Sequence, residues 1–452
     1  METYTPMSLP QQHGFDTNSR GHLMIGGMDA AELAARFGTP LHVIDEGRMR
    51  ANCHTYVEAM RRHYPGPGQV LFGSKALCTV ATCQIAYDEG LGLDVVSAGE
   101  IYTALQAGVP ADALRFHGSN KTPDEIAYAL DVGVGRFMVD NTYELSWLDR
   151  LAQQRGRRAD VLLRVTPGIE PHTHKAIQTG GVDSKFGFGL LGPAAEGAVQ
   201  TALRAPGIRL RGLHCHIGSQ ILELAPFVMA ARALLAFTRE MRPAGFVLEE
   251  LNLGGGLGIR YLAEQDPPAR EAYVEALAST TADLVRQYDL PLPILHIEPG
   301  RSIVGDAGVT LYTAGAIKAV LGVRTFVSVD GGMYENPRLA LYGARYEAVV
   351  ATRALEAPTQ RVAVAGRCCE SGDVLIWDAD LPAVREGDLL AVFATGAYTY
   401  SMASNYNRYT RPALVFVRDG SAQVAVERET LADLVRHDRA LTRPAAGAPL
   451  PR

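Results

Sequence analysis

The sequence has little of what marks secreted, membrane-bound or nucleic-acid-binding proteins. Its six cysteines form neither a CxxC pair nor a disulfide-dense pattern, so we expect reduced thiols in a cytoplasmic protein. The net charge of −6 includes no basic block, which argues against nucleic acid as a main partner. The start lacks a basic region followed by an apolar core, and no apolar run is long enough to span a bilayer. We therefore expect neither a signal peptide nor a membrane partner.

What the sequence does contain is a long alternation of two patterns. Its 452 residues are too many for one ordinary core, which predicts two domains. Short apolar runs alternate with helical patterns from residue 41 to 297, as in a parallel α/β sheet. A closed (β/α) barrel needs eight strands. The nine candidates are one too many, and they lie at 41–44, 70–73, 93–96, 114–117, 136–139, 161–165, 210–215, 249–253 and 294–297.

The pattern changes after about residue 308. Short alternating runs separated by turns predict an all-β domain there. The first 25 residues are polar and the last are rich in proline and alanine, so we expect both ends to be loosely ordered. The Gly-rich connection at 167–190 is too long for a plain turn, and we expect it to cover an active site.

Residues with chemical potential follow the predicted strands. In a parallel barrel the carboxyl ends of the strands meet at one face, where function lies. Lys75 follows the strand at 70–73, and burial there would lower its pKa and make it a better amine nucleophile. The other strand ends supply Asp94, Glu100, Arg164, His214, His216, Ser219, Gly254, Gly255, Gly256, Glu298 and Arg301.

Each of these residues also has a plainer interpretation. Lys75 could be a surface lysine, the three glycines 254–256 only a tight turn, and Glu298 a carboxylate paired at the edge of the core. His214 and His216 lie two apart on a strand and point the same way, so they could ligate a metal. No third ligand stands out, and we predict no metal site.

Together the residues describe a site for pyridoxal 5'-phosphate (PLP). A lysine amine can form a Schiff base, and a histidine can lie flat on the ring. Glycine amides with Ser219 can wrap a phosphate. Glu298 beside the pyridine nitrogen would keep that nitrogen protonated. PLP would then act as an electron sink.

Longer segments carry a closer resemblance, which covers about residues 25 to 430. The chain resembles the fold-type III PLP-dependent decarboxylases and, within that class, the diaminopimelate decarboxylases. Gly73 stands where the family often has alanine, and Cys368 before the family's cysteine is less usual. The segments are FGSKA, LDVVSAGE, HCHIGSQ, NLGGGLG, EPGRSIVG, ENPRLALYGA, CCESGDVL and GAYTYSMASNYN.

The resemblance implies a two-domain fold. This is an α/β architecture with an eight-stranded (β/α) TIM-like barrel and a C-terminal all-β domain that includes the N-terminal segment. Residues 1–45 would join the β-domain, 46–307 form the barrel, 308–435 the β-domain and 436–452 a flexible tail. The strand at 41–44 would leave the barrel, which resolves the surplus.

The resemblance also implies roles at the cofactor. Lys75 would bind PLP, His216 would stack on its ring with Asp94 nearby, and Glu298 would pair with the pyridine nitrogen. Ser219, Gly256, Gly300, Arg301 and Tyr398 would surround the phosphate.

The substrate would be held by both domains. Glu370 would bind its distal amino group, and Cys369 would act as the catalytic acid. In this family the loop with Cys369 and Glu370 comes from the other subunit, so we expect a homodimer with shared sites. The retained carboxylate would be gripped by Arg301, Arg338, Tyr342 and Tyr398.

The implied reaction is decarboxylation of meso-2,6-diaminopimelate to L-lysine, the last step of lysine biosynthesis. A related decarboxylase for ornithine, arginine or a carboxylated polyamine is the main alternative, but Arg338 and Tyr342 fit a distal carboxylate better. An amino-acid racemase would use a tyrosine in place of Cys369. Retained Lys75 and Glu298 argue against an inactive homologue.

Overall fold

A computed structural model of the chain describes residues 7–169, 181 and 183–441. Eight parallel strands close into a barrel, because the first pairs with the second and also with the eighth. The predicted barrel is therefore confirmed. Its strands are Gly68–Gly73, Gly92–Val95, Leu114–Phe116, Arg136–Val139, Ala159–Thr166, Ile208–His214, Glu250–Asn252 and Ile294–Ile297.

Helices surround the barrel, and several start at a side-chain cap. Asp45, Ser97 and Thr122 each accept a hydrogen bond from a backbone amide of the first turn that follows. Such caps satisfy amides that have no partner within the helix. The helices of this part of the chain are Glu46–His63, Val80–Asp88, Ala98–Gln106, Pro123–Val132, Thr142–Gln154, Ala194–Arg204, Ala225–Met241, Arg270–Gln287 and Arg301–Val304.

The second domain is mainly β-structure, as expected. Leu41–Asp45 pairs antiparallel with Gly308–Val320 and parallel with Ala413–Arg418, so the ninth candidate strand lies outside the barrel. The domain limits themselves stay predictions. Its other strands are Met24–Ile25, Met28–Asp29, Arg324–Val329, Ala348–Val350, Gln360–Ala365, Val374–Leu381, Leu389–Phe393 and Ser421–Val426, and the helices outside the barrel region are Leu9–Gln12, Ala30–Phe37, Arg338–Tyr342 and Leu431–Val435.

The N-terminal segment is ordered from residue 7, so the expectation of a loose first 25 residues is wrong. Phe15 is buried and stacks on Phe393 with ring centres 5.7 Å apart, and Leu23 and Ile25 are fully buried. A few apolar side chains among polar ones are enough to hold the segment on the β-domain. Residues 1–6 and 442–452, and 170–180 with 182 in the predicted covering connection, lie outside the described residues.

Three clusters of buried apolar side chains hold the fold together. One fills the barrel and its helices, and Phe72 and Ile297 belong to it. A second joins Val43 of the N-terminal strand to Val309 and Val415 of its two neighbours. The third lies mainly in the β-domain. Among the helices of the described ranges, none has the length and apolar composition that crossing a bilayer requires.

Candidate active site

Lys75 lies in a short turn, Ser74–Ala76, directly after the first barrel strand. Its amine donates a hydrogen bond to Oδ2 of Asp94. Pairing of the first two strands sets Gly73 opposite Asp94, so both groups lie at the carboxyl end of the barrel. The Lys75 side chain is 35% exposed and that of Asp94 only 1%. The Lys75 side chain is therefore partly exposed while its partner is buried.

The charge of Lys75 differs from the sequence expectation. Burial alone would lower the pKa of Lys75, but the Asp94 carboxylate, with Tyr398 and Glu298, outweighs burial and raises it. The expected lowering is wrong because a carboxylate in direct contact favours the charged amine. Lys75 is thus a cation that Asp94 holds in place.

Glu298 follows the eighth strand and is 4% exposed. Asn252 Nδ2 donates to its Oε1 over 2.6 Å, while His117 Nε2 lies 2.9 Å from Oε1 and His214 Nε2 lies 3.2 Å from Oε2. Burial opposes ionisation, but His117 and His214 hold the pKa of Glu298 well below its usual range. Burial lowers the pKa of His214 to about 4, so its ring is neutral at pH 7. Glu298 therefore stays ionised beside the neutral ring of His214.

This cluster changes two interpretations of the sequence. Glu298 pairs with histidines and Asn252 rather than with Arg301. His117, His214 and Glu298 have ligand atoms within 4.8 Å of one another, so a third potential metal ligand exists that the sequence did not reveal. The absence of a metal stays a prediction.

His216 is held by the glycine loop. The Gly255 amide donates to His216 Nδ1 over 3.2 Å, which places the ring proton on Nε2. Burial and the charge of Lys75 hold the pKa of His216 well below its usual range. The Gly254 amide donates to Asn252 Oδ1 over 2.9 Å. Of the three glycines, only Gly256 has an amide without a hydrogen bond among the described residues.

Two buried arginines lie around shared tyrosines. Arg301 donates to Ser219 Oγ over 2.9 Å and to the Tyr261 hydroxyl, and its guanidinium carbon lies 4.7 Å from the ring centre of Tyr398. The guanidinium carbon of Arg338 lies 5.2 Å from the Tyr261 ring centre and 6.0 Å from that of Tyr398. Neither arginine has a carboxylate within 4.0 Å in the part of the chain described. Two buried positive charges are therefore left for an anion.

A turn of the β-domain brings Tyr398 to the lysine. The Tyr398 amide donates to the carbonyl of Ala76, one residue after Lys75, over 2.8 Å. Residues other than glycine rarely adopt its φ of 59°, so the contacts around Tyr398 must hold the turn in this conformation. Gly300 follows the eighth barrel strand and packs against the end of the first, where a Cβ on it would come within 2.8 Å of the Gly73 carbonyl. The two domains meet at the lysine.

The remaining predicted residues lie apart from Lys75. Tyr342 is partly buried, with its ring centre 6.0 Å from the guanidinium carbon of Arg338. Cys369 and Glu370 are exposed, and the Cys369 amide donates to Asn407 Oδ1 over 2.7 Å. Within the described chain, none of the hydrogen bonds of Cys369 or Glu370 reaches the lysine cluster.

Three side chains of the site were missed in the sequence. His117 follows the third barrel strand, so the strand-end rule could have found it. Asn252 is the last residue of the strand before the glycine loop, so its position is a weaker indication that it belongs to the site. Tyr261 has none, because it meets Arg301 only through the fold.

Comparison with known proteins agrees with this geometry. The family model described as "Pyridoxal-dependent decarboxylase, pyridoxal binding domain" matches residues 47–305. A diaminopimelate decarboxylase of Bacillus subtilis is 51% identical over 93% of this chain and 96% of its own length. One from Synechocystis is 44% identical over 93% of this chain and 91% of its own.

The fold is also that of a solved relative. The diaminopimelate decarboxylase of M. jannaschii in complex with L-lysine is 35% identical and has a TM-score of 0.88. The match covers 94% of this chain and 98% of that one.

Proposed function

The chain belongs to the diaminopimelate decarboxylases, a group within the pyridoxal-dependent decarboxylases, and from this we propose that it converts meso-2,6-diaminopimelate to L-lysine and CO2. The observation that carries the proposal is the pair of buried guanidinium groups of Arg301 and Arg338, linked through Tyr398 to the turn of Lys75. A substrate with a second amino-acid head offers a carboxylate to such a pair, whereas ornithine and arginine offer none at that end.

The residues fit PLP as the cofactor. The amine of the partly exposed Lys75 side chain suits its aldehyde, and the buried Oδ1 of Asp94 has no hydrogen-bond partner among the described residues. The ionised Glu298 suits a protonated pyridine nitrogen. Ser219 and the Gly256 amide, which has no hydrogen bond among the described residues, suit its phosphate. The set supplies a group for each functional part of PLP.

Bound PLP supplies an electron sink for the electron pair left when CO2 departs. Asp94 keeps the Lys75 amine at one position, and the ionised Glu298 would keep the pyridine nitrogen of PLP protonated. His216, fixed by the Gly255 amide, keeps a neutral flat ring toward the site. The Sγ proton of Cys369 would replace CO2 on the substrate carbon.

We further propose a cytoplasmic homodimer with shared sites. Cys369 and Glu370 are exposed, and none of their hydrogen bonds among the described residues reaches the lysine cluster, which supports their use by the partner subunit. Glu370 would bind the distal ammonium and Arg338 with Tyr342 the retained carboxylate. All six cysteines are free thiols, as a reducing compartment requires.

A substrate panel tests the reaction. The PLP-loaded protein is assayed for CO2 release from meso-diaminopimelate, ornithine and arginine side by side. We expect release from diaminopimelate only, and a faster rate with ornithine would replace the proposal with its alternative. Lys75→Ala should lose both turnover and the PLP mass retained after borohydride reduction. Normal turnover by that variant would refute the role of Lys75.

Mixing two inactive variants tests the shared site. Lys75→Ala and Cys369→Ala are each expected to be inactive as homodimers. A mixed dimer has one site with both native groups, so random mixing should restore about a quarter of the native rate. A mixture as inactive as its parents would refute the shared site.

A further inference from the structure

Asp373 is a buried carboxylate that joins two separate segments of the β-domain. It is 4% exposed, and each of its oxygens accepts one backbone amide hydrogen bond. Oδ1 accepts from Met333 and Oδ2 from Cys368, both over 2.6 Å. We call residues 331–335 the turn segment and residues 366–373 the loop segment. One side chain thus holds an amide of each.

The two segments have no space for another arrangement of this carboxylate. A Cβ on Gly332 of the turn segment would lie 2.6 Å from Asp373 Oδ2, and one on Gly366 of the loop segment 2.3 Å from Oδ1. The Arg367 amide also donates to the Gly331 carbonyl over 3.1 Å. The carboxylate is enclosed between the two backbone segments, and each segment has a glycine where a Cβ would collide with it.

The neighbouring thiol completes this contact and gives Cys368 a role. Burial, with the charge of Asp373 and a hydrogen bond to it, raises the pKa of Cys368 to about 12. Cys368 is therefore a protonated thiol beside the carboxylate. It is distinct from the exposed Cys369 that follows it.

The two segments lead to different parts of the catalytic machinery. The turn segment ends at Glu335, which accepts from the Gly332 amide over 3.2 Å and from the Tyr312 hydroxyl over 2.7 Å, and Arg338 follows three residues later. The loop segment carries Cys369 and Glu370. In the proposed dimer, a protomer keeps the first segment for its own site and gives the second to its partner.

We propose that Asp373 is a positioning residue that fixes the Cys369–Glu370 loop against the turn leading to Arg338, and so links the two sites of the dimer. The inference rests on the proposed shared site. Asp373→Asn keeps the size of the side chain but replaces one acceptor oxygen with an NH2 group. One of the two backbone amides then loses its partner, and the segments separate.

Amide hydrogen exchange tests the link without reference to activity. In PLP-loaded Asp373→Asn, we expect peptides covering 331–335 and 366–370 to exchange at least about tenfold faster, because loss of one hydrogen bond lets the two segments separate and exposes both amides. The control is Asp378→Asn, an exposed aspartate on the strand that follows, which should exchange as the native protein does. Unchanged exchange in either segment of Asp373→Asn would overturn the link.

Mixed dimers then separate the two segments. The reference dimer joins a Lys75→Ala protomer to a native one and has one working site. In the loop dimer the Lys75→Ala protomer also carries Asp373→Asn, so the working site receives an altered loop. In the turn dimer the native protomer is replaced by Asp373→Asn, so the working site has an altered turn and a native loop.

We expect the loop dimer to lose about tenfold in kcat, because a misplaced acid slows proton transfer, and the turn dimer to show about a threefold rise in KM with kcat little changed. PLP absorbance should match the reference in both. A loop dimer with the kcat of the reference, or equal losses in both dimers together with loss of PLP, would overturn the inference. If the Lys75→Ala and Cys369→Ala mixture is active and only these differences are missing, the shared site stands and this inference alone is wrong. If that mixture is inactive, both are wrong.

Discussion

At the scale of single residues, the site depends on which groups are kept neutral. Burial lowers the pKa of His214 to about 4, while Glu298 beside it stays ionised. A histidine that cannot take up a proton gives Glu298 a hydrogen-bond donor without cancelling its charge. The carboxylate charge is then available to a protonated ring nitrogen.

The lowered pKa of His214 has a consequence for stability in acid. Below pH 6.5 the unfolded chain protonates this histidine, whereas the folded chain does not until about pH 4. The free energy of unfolding therefore falls by up to about 3 kcal/mol as the pH falls through that window. Above pH 6.5 this histidine does not change the free energy of unfolding. Thermal unfolding of the PLP-free protein should show a steeper fall in Tm between pH 6.5 and 4 than that of His214→Gln. If Tm fell with pH equally in the native protein and in His214→Gln, the lowered pKa of His214 would be contradicted.

Residues of the site could be predicted where a strand end or a family segment marks them. Lys75, Asp94 and Glu298 were predicted in that way and lie together in the structure. Tyr261 could not be predicted, because its contact with Arg301 depends on the path of a long loop. The raised pKa of Lys75 could not be predicted either, because it depends on the contact between its amine and Asp94 and not on the residue type.

At the scale of elements, close packing of backbone decides which glycines are required. Gly254 has φ of +67°, and a Cβ there would lie 2.4 Å from the carbonyl of Cys215. Gly197 lies in the helix Ala194–Arg204, where a Cβ would meet nothing within 4 Å. The two glycines should therefore respond in opposite ways to the same substitution.

Gly254→Ala should lower the free energy of unfolding by about 2–4 kcal/mol, from backbone strain and overpacking. It should also weaken PLP binding, because the loop that fixes His216 must move. The matched control Gly197→Ala should raise stability by about 0.5–1 kcal/mol, since alanine is the better helix residue. Denaturant unfolding and PLP titration measure both effects. If Gly254→Ala left both stability and PLP binding unchanged, the close packing of the loop against Cys215 would be refuted.

Elements with local signals were predicted more closely than those set by distant pairing. The alternation of strands and helices could be read between residues 41 and 297, because caps and periodicity, as in Glu46–His63 and Thr142–Gln154, lie within each segment. The strand at 41–44 was found, but its neighbours lie more than 260 residues away in the chain, and only the resemblance placed it. The ordered structure of residues 7–25 could not be predicted for the same reason, because its contacts are with residues distant in the chain.

At the scale of the whole molecule, activity should depend on association. If Cys369 and Glu370 serve the partner's site, a monomer has a cofactor site but no acid at the substrate. Dilution below the dimer dissociation constant should therefore lower the rate per chain while the PLP signal per chain persists. Steady-state rates at stepped concentrations, with the mass distribution measured in parallel, check this. A monomer fraction that turns over at the full rate would refute it.

The place of Leu41–Asp45 between Gly308–Val320 and Ala413–Arg418 also sets an order of events during synthesis. All eight barrel strands have been made once the ribosome reaches residue 297. The strand at 41–45, made first, has neither neighbour until 308 and lacks the second until 413. The nascent barrel can close while this early strand still has two open edges. A ribosome that stalls after the barrel would thus present a closed barrel with Lys75, without Tyr398, and a strand edge open to pairing with other chains.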